Sequence, residues 1–151
     1  MTTPADTRTD ARPDTAVGTD ASVRAVHTDA APAAVGAYSQ AVVAGDLVFV
    51  SGQLPIDPAT GEFAGPGVRE EAAQSLRNGA AVLEAAGSGI AHVVKTTVLL
   101  ADIADFADVN EVYAEVFAGA GGVLPARAAY QVGALPKGAR VEIEFVGAVV
   151  R

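Results

Sequence analysis

From Arg140 to Phe145 the chain changes chemistry at every step: Val141, Ile143 and Phe145 are apolar, while Arg140, Glu142 and Glu144 between them are charged. Successive side chains of an extended strand leave opposite faces, so this segment demands a sheet with one covered face and one face that keeps charge. Two segments are suited to cover it. Over Val68–Ala86, Ala72, Leu76, Gly79 or Ala80, Leu83 and Ala86 recur at helical spacing, and Glu70, Glu71, Gln74 and Arg77 fill the other side. Glu70 and Glu71 suit the positive end of the helix dipole, and Gly87 and Gly89 end the run. A second helix is predicted after Asp105, with Phe106, Val109, Tyr113, Val116 and Phe117 on one face.

The remaining apolar runs read as strands. One lies near Ser22–His27. Tyr38–Val43 and Leu47–Gly52 flank Ala44-Gly45-Asp46, a hairpin signal. His92–Leu100 is rich in β-branched residues, a central-strand composition. Ala126–Val132 and Arg140–Val149, joined by Gly133–Gly138, read as a second hairpin. The order β-β-β-α-β-α-β-β predicts an α+β fold: a single mixed sheet with two helices on one face. The uncovered face calls for a partner subunit. Residues 1–22 are mostly Thr, Asp, Ala, Arg and Pro, too poor in large apolar side chains to offset the entropy of ordering. They are expected to be a disordered tail, leaving 23–151 as the domain.

Charge and composition narrow the chemistry. With no cysteine, disulfides, thiolate metal sites and a cysteine nucleophile are excluded. His27 and His92 are too far apart for a helical metal pair, and no metal or cofactor is expected. Ten Lys and Arg stand against 18 Asp and Glu, a net charge of −8 that argues against nucleic acid as a partner. No apolar run reaches the ~20 residues of a membrane span, and the start lacks a secretory pattern. The expectation is a soluble, cytoplasmic protein without a membrane partner.

The hairpin predicted at the C-terminal end would bring Arg127, Ala129 and Gln131 on one strand beside Glu142 and Glu144 on the next. Two readings stay open for this charged set. One is a structural cross-strand salt bridge. The other is a site in which a planar guanidinium grips a small carboxylate and Glu142, shielded from water, orients a water molecule. Ser51 ends a strand with neither histidine predicted nearby, which favours a hydrogen-bonding role over a nucleophile. Tyr38 suits either the core or a pocket wall. Asn110 by default faces solvent, and His92 is a boundary residue. Gly65-Pro66-Gly67 lacks the Gly-Lys-Ser/Thr ending of a phosphate loop.

The stretch Leu124-Pro125-Ala126-Arg127-Ala128-Ala129-Tyr130-Gln131 through Leu135-Pro136-Lys137-Gly138-Ala139-Arg140-Val141-Glu142-Ile143-Glu144 resembles the C-terminal signature of the RidA (YjgF-type) family. Matching blocks occur in family order at Gly36–Gln40, Val50–Pro55, Asn78, Val94–Val98 and Asp105–Asn110. The resemblance covers residues 23–151. It implies a chorismate-mutase-like fold and a homotrimer with clefts between subunits. It also implies cofactor-free hydrolysis of 2-aminoacrylate, 2-iminopropanoate and 2-iminobutanoate to 2-keto acids and ammonia. Arg127 matches the position that binds the substrate carboxylate, and Glu142 the one that activates water. Tyr38, Ser51 and Asn110 match pocket-lining positions, with the backbone around Gly52 and Ala129 completing the cleft. Two departures stand out: Ala128-Ala129 replaces a pair such as Ser-Cys, and Gly36-Ala37-Tyr38 replaces Gly-Pro-Tyr. The alternative on the same fold is a non-catalytic 2-keto-acid sensor or interaction module.

Overall fold

In the computed structural model, which describes residues 22–151, the chain runs β1 (Val23–Val26), β2 (Ala41–Ala44), β3 (Leu47–Gln53), α1 (Val68–Ala85), β4 (Val93–Leu100), α2 (Phe106–Ala120), β5 (Ala126–Gln131) and β6 (Val141–Ala148). This is the predicted order of elements. The tail expected over 1–22 lies outside the described residues apart from Ser22. All six strands form one mixed sheet in the order β1-β2-β3-β6-β4-β5. Its first three strands form a meander, with Ala44 opposite Leu47 across the Gly45-Asp46 turn.

The second hairpin does not form. β4 stands between β5 and β6, antiparallel to β6 and parallel to β5. The reason lies in what each strand can bury. β4 buries Thr96, Val98 and Leu100 on one face and half-buries Thr97 and Leu99 on the other, so it belongs inside the sheet. The alanines of β5 offer little to bury, and that strand sits at the edge. A parallel neighbour for β4 requires a crossover, which α2 supplies.

Both helices pack on the same face of the sheet and against each other. α1 starts where the Glu70 carboxylate accepts the Gly67 N–H at 3.0 Å. It stops where Gly87 takes φ +84° and the Ser88 N–H returns to the Leu83 carbonyl at 2.9 Å, a left-handed cap that favours glycine. Leu76, Val82, Leu83, Val109, Tyr113 and Phe117 of the helices close over Val98, Ile143 and Phe145. Among the described residues no helix is long and apolar enough to cross a membrane.

Two contacts set the register of β6. The Phe145 ring, 1 % exposed, presses against α1 at Gly79, where a built Cβ would lie 2.2 Å from it. At the strand's start, the buried Glu71 carboxylate of α1 accepts the Arg140 N–H at 2.9 Å.

The Gly79 contact yields a prediction of sign. On an exposed helix Gly→Ala stabilises by about 1 kcal/mol. Here the added methyl meets a ring with nowhere to go, and Gly79→Ala should cost about 1–3 kcal/mol in urea unfolding. Adding Phe145→Leu should recover part of that loss. A single variant as stable as the parent would refute the packing account.

Candidate active site

The sheet divides the site residues between its two faces. On β6, Val141, Ile143 and Phe145 are buried beneath the helices, so Glu142 and Glu144 project from the open face. On β5, Arg127 is paired in register with Thr96, which is itself opposite Phe145, and all three share the helix face. Thr96 confirms the side: its hydroxyl meets the Tyr113 hydroxyl of α2 at 2.7 Å. Arg127 and Glu142 of one chain therefore point to opposite faces. The cross-strand salt bridge considered from sequence is absent, because both the intervening β4 and the alternation of side chains separate the pair.

On the open face, Glu142 helps line a cavity of about 620 Å3 together with Tyr38, Ser51, Gly52, Lys137 and Glu144. A bulge builds this wall. β3 and β6 pair regularly up to Val50 opposite Phe145 and resume at Gln53 opposite Ile143, so β3 spends three steps where β6 spends two. The extra residue brings Ser51 and Gly52 beside Glu142. Contact is so close that a Cβ built on Gly52 would lie 1.9 Å from the Glu142 Oε1. Only glycine allows the carboxylate to rest over this backbone.

The other open-face residues are held in place. The Ser51 hydroxyl donates to the Ser39 carbonyl at 2.6 Å, the structural bond favoured from sequence. Tyr38 is 54 % exposed on the cavity wall, and its hydroxyl accepts the Val35 N–H at 3.3 Å. Burial pushes the Glu142 carboxyl above the ordinary glutamate range, and the nearby Glu144 charge adds to the rise. Such a carboxyl can take and return a proton closer to neutral pH than a free one.

Arg127 belongs to a second cluster at the β5 edge. Its Nη1 donates to the Asn110 Oδ1 at 2.7 Å, and its guanidinium lies 4.8 Å from the Tyr113 ring centre and 5.4 Å from that of Phe106. Stacking on aromatic rings fixes the plane of the fork, and Asn110 occupies one of its donors. Exposed donors remain for a carboxylate. Asn110, assigned by default to solvent, is half-buried and serves as this orienting partner. Ala129 lies two residues along the same face and packs against the core.

Sequence reasoning missed three supports of the cavity. Gln40 is buried and clamps the preceding loop, accepting the Thr28 N–H at 2.8 Å and donating to the carbonyls of Thr28 at 2.9 Å and Pro32 at 2.8 Å. Asn78, 1 % exposed, donates to the Leu54 and Ile56 carbonyls and fixes the opposite wall. Lys137 completes the rim. Gln40 and Asn78 stood within the matching sequence blocks, but a lone amide in a pattern does not reveal which backbone it will satisfy.

Comparison with known proteins places these residues in a family context. A family model described as Endoribonuclease L-PSP matches residues 28–149. The 2-iminobutanoate/2-iminopropanoate deaminase of Rattus norvegicus is 55 % identical over 82 % of this chain and 88 % of its own length. The crystal structure of E. coli TdcF with bound serine superposes with a TM-score of 0.81 at 39 % identity, covering 84 % of this chain and 99 % of that one. The YjgF gene product of E. coli gives a TM-score of 0.80 at 42 % identity, covering 83 % and 98 %.

The raised Glu142 carboxyl has a consequence for stability. The native state holds this proton more tightly than the unfolded chain, whose glutamate titrates near pKa ~4.3. Its contribution is fully present below that value and is lost as pH rises through the higher native pKa. At neutral pH the ionised group therefore costs stability, and Glu142→Gln should melt a few degrees above the parent. The gap should close as the pH falls toward ~4, where both states carry the proton. A glutamine variant melting below the parent at pH 7 would contradict this.

Proposed function

Because the chain belongs to the RidA (YjgF-type) family, the group matched by the Endoribonuclease L-PSP model, we propose that it hydrolyses 2-iminopropanoate and 2-iminobutanoate to 2-keto acids and ammonia. The observation that carries this reading is the pairing of a proton-accepting Glu142, laid over Gly52, with a guanidinium oriented on aromatic rings. One suits the movement of a proton between water and substrate. The other suits a small carboxylate.

Since Arg127 and Glu142 face opposite ways, the working site is composite. Arg127, Asn110 and the backbone near Ala129 of one copy face Glu142, Ser51, Gly52 and Tyr38 of the next. The open sheet face supports such an assembly: among the described residues it leaves Leu47, Phe49 and Tyr130 exposed. A closed homotrimer repeats the same heterologous contact around a threefold axis and leaves no half-site unmatched. The active unit is residues 23–151, which contain the full family match.

In this site Arg127 fixes the substrate carboxylate and removes its orientational freedom. Glu142 takes a proton from water as the oxygen bonds to the imine carbon and the C=N π pair moves to nitrogen. It returns that proton to the nitrogen; the hydroxyl proton then passes through Glu142 to the same nitrogen as the C–N bond breaks, so ammonia departs and the carbonyl forms. Water and imine are thus consumed, and the products are a 2-keto acid and ammonia. 2-Aminoacrylate enters as its imine tautomer. A catalyst of this kind is useful where such imines form, and we take its place of work to be the cytoplasm, beside the enzymes that release them.

Ammonia release from enzymatically generated 2-iminobutanoate tests the reading. Arg127→Ala should lower kcat/KM by about 10²-fold or more and weaken 2-oxobutanoate binding. Glu142→Gln should keep that binding and lose about 10²–10⁴ in kcat. Co-assembly of the two inactive variants should restore roughly a quarter of parental activity, the share of composite sites with both halves intact under random assortment. A parent that binds 2-oxobutanoate without turnover would refute the enzyme. An inactive mixture would refute the shared site.

A further inference from the structure

Lys137 sits at the tip of the turn Pro136–Gly138, between β5 and β6, with φ +56° and ψ 19°. Among the described residues it is the only non-glycine residue in the left-handed region, where a side chain crowds its own backbone. The turn is nonetheless firmly seated. Leu135 and Ala139 at its ends are buried, and the N–H groups of Gly138 and Ala139 return to the carbonyls of Leu135 and Pro136 at 3.2 Å each. An exposed lysine is thus held at a preset point, in a conformation that glycine would adopt more cheaply.

That point is the rim of the Glu142 cavity. The other charged residues lining the cavity are Glu142 and Glu144, so among the described residues Lys137 is its only cation. Arg127 of the same chain lies on the other sheet face. A 2-imino acid is an anion, and it approaches a chain of net charge −8 toward a wall bearing two carboxylates. Charges act over about 8 Å at physiological ionic strength, so one fixed cation at the mouth governs the local field the substrate meets. Among the described residues Lys137 also makes no ion pair that would occupy it.

We propose that Lys137 is a substrate-capture residue, the cation that draws the 2-imino acid carboxylate to the Glu142 cavity before Arg127 of the adjacent copy fixes it. The proposal rests on the deaminase reading above and adds a residue that acts on encounter rather than on the chemical step. An interaction felt equally by bound substrate and transition state appears in KM and leaves kcat alone.

Three substitutions separate the charge from the turn. Lys137→Gln removes the charge and keeps the unfavourable φ, Lys137→Gly removes both, and Lys137→Arg keeps both. With 2-iminobutanoate generated in place, the glutamine and glycine variants should raise KM by about 3–10-fold, with kcat within about twofold of the parent. Arginine should restore the parental KM. Raising the salt from about 0.05 M to 1 M should bring the parent up to the level of the uncharged variants. Lys137→Gly with a parental KM would overturn the proposal and leave the residue a mere turn former. A fall in kcat at unchanged KM, or a KM gap indifferent to salt, would overturn it as well. If the parent shows no turnover, the deaminase reading fails on its own, and the 2-oxobutanoate dissociation constant replaces KM as the readout. A salt-dependent weakening in Lys137→Gln then supports capture, and equal affinity overturns it.

Discussion

β6 fixes what the rest of the molecule can be. Its alternate residues must satisfy two demands at once, an apolar stripe beneath α1 and α2 and two carboxylates on the opposite face. A slip of one residue against either neighbour would drive Glu142 and Glu144 into the core and Phe145 into water. The register is therefore held from both ends: by the Phe145 ring in the notch at Gly79, and by the Glu71 carboxylate on the Arg140 N–H. With β6 so fixed, the bulge in β3 can place Ser51 and Gly52 beside the Glu142 side chain, and the cavity follows from that contact.

The same alternation parts the two chemical groups. Arg127 leans toward α2 because β5 continues the face to which Thr96 and Phe145 belong, and the aromatic rings of Phe106 and Tyr113 there offer a bed for a guanidinium. A site confined to one chain would require Arg127 to cross the sheet. The composite site proposed above removes that requirement and, as proposed, ties catalysis to assembly.

Much of this was legible from sequence, for identifiable reasons. The helices followed from clean three-four periodicity, and the strands around Gly45-Asp46 from an apolar pattern broken by turn chemistry. β6 followed from the alternation between Val141 and Phe145. The error concerned which strands are neighbours. Ala126–Gln131 and Val141–Ala148 looked like a hairpin because the segment between them is short and rich in Gly and Pro, yet it spans a strand. Chain adjacency favoured one answer. The two-sided burial of β4 dictated the other, and burial on both faces is a property of the folded sheet rather than of any local window. Arg127 and Glu142 were thus identified by type and position, while their relative orientation depended on β4, far earlier in the chain. The default reading of Asn110 as a solvated residue, set aside by the family match, failed for a similar reason: its acidic neighbours face water, and its partner arrives from another element.

The electrostatics of the Glu142 wall show why the surrounding polar groups are so firmly held. A carboxyl whose proton affinity is raised by burial destabilises the native state when ionised, and Glu144 adds repulsion where the backbone leaves it no room to withdraw. Left to relax, such a wall would open to water, and the affinity would fall back to its ordinary value. Gln40 and Asn78 oppose that relaxation from two sides, each spending a fully buried amide on carbonyls of the loops that enclose the cavity. Their hydrogen bonds restrain the loops over which the carboxyl would otherwise gain solvent. The tip at Lys137, held in the left-handed region, adds a cation to the residues lining the same cavity.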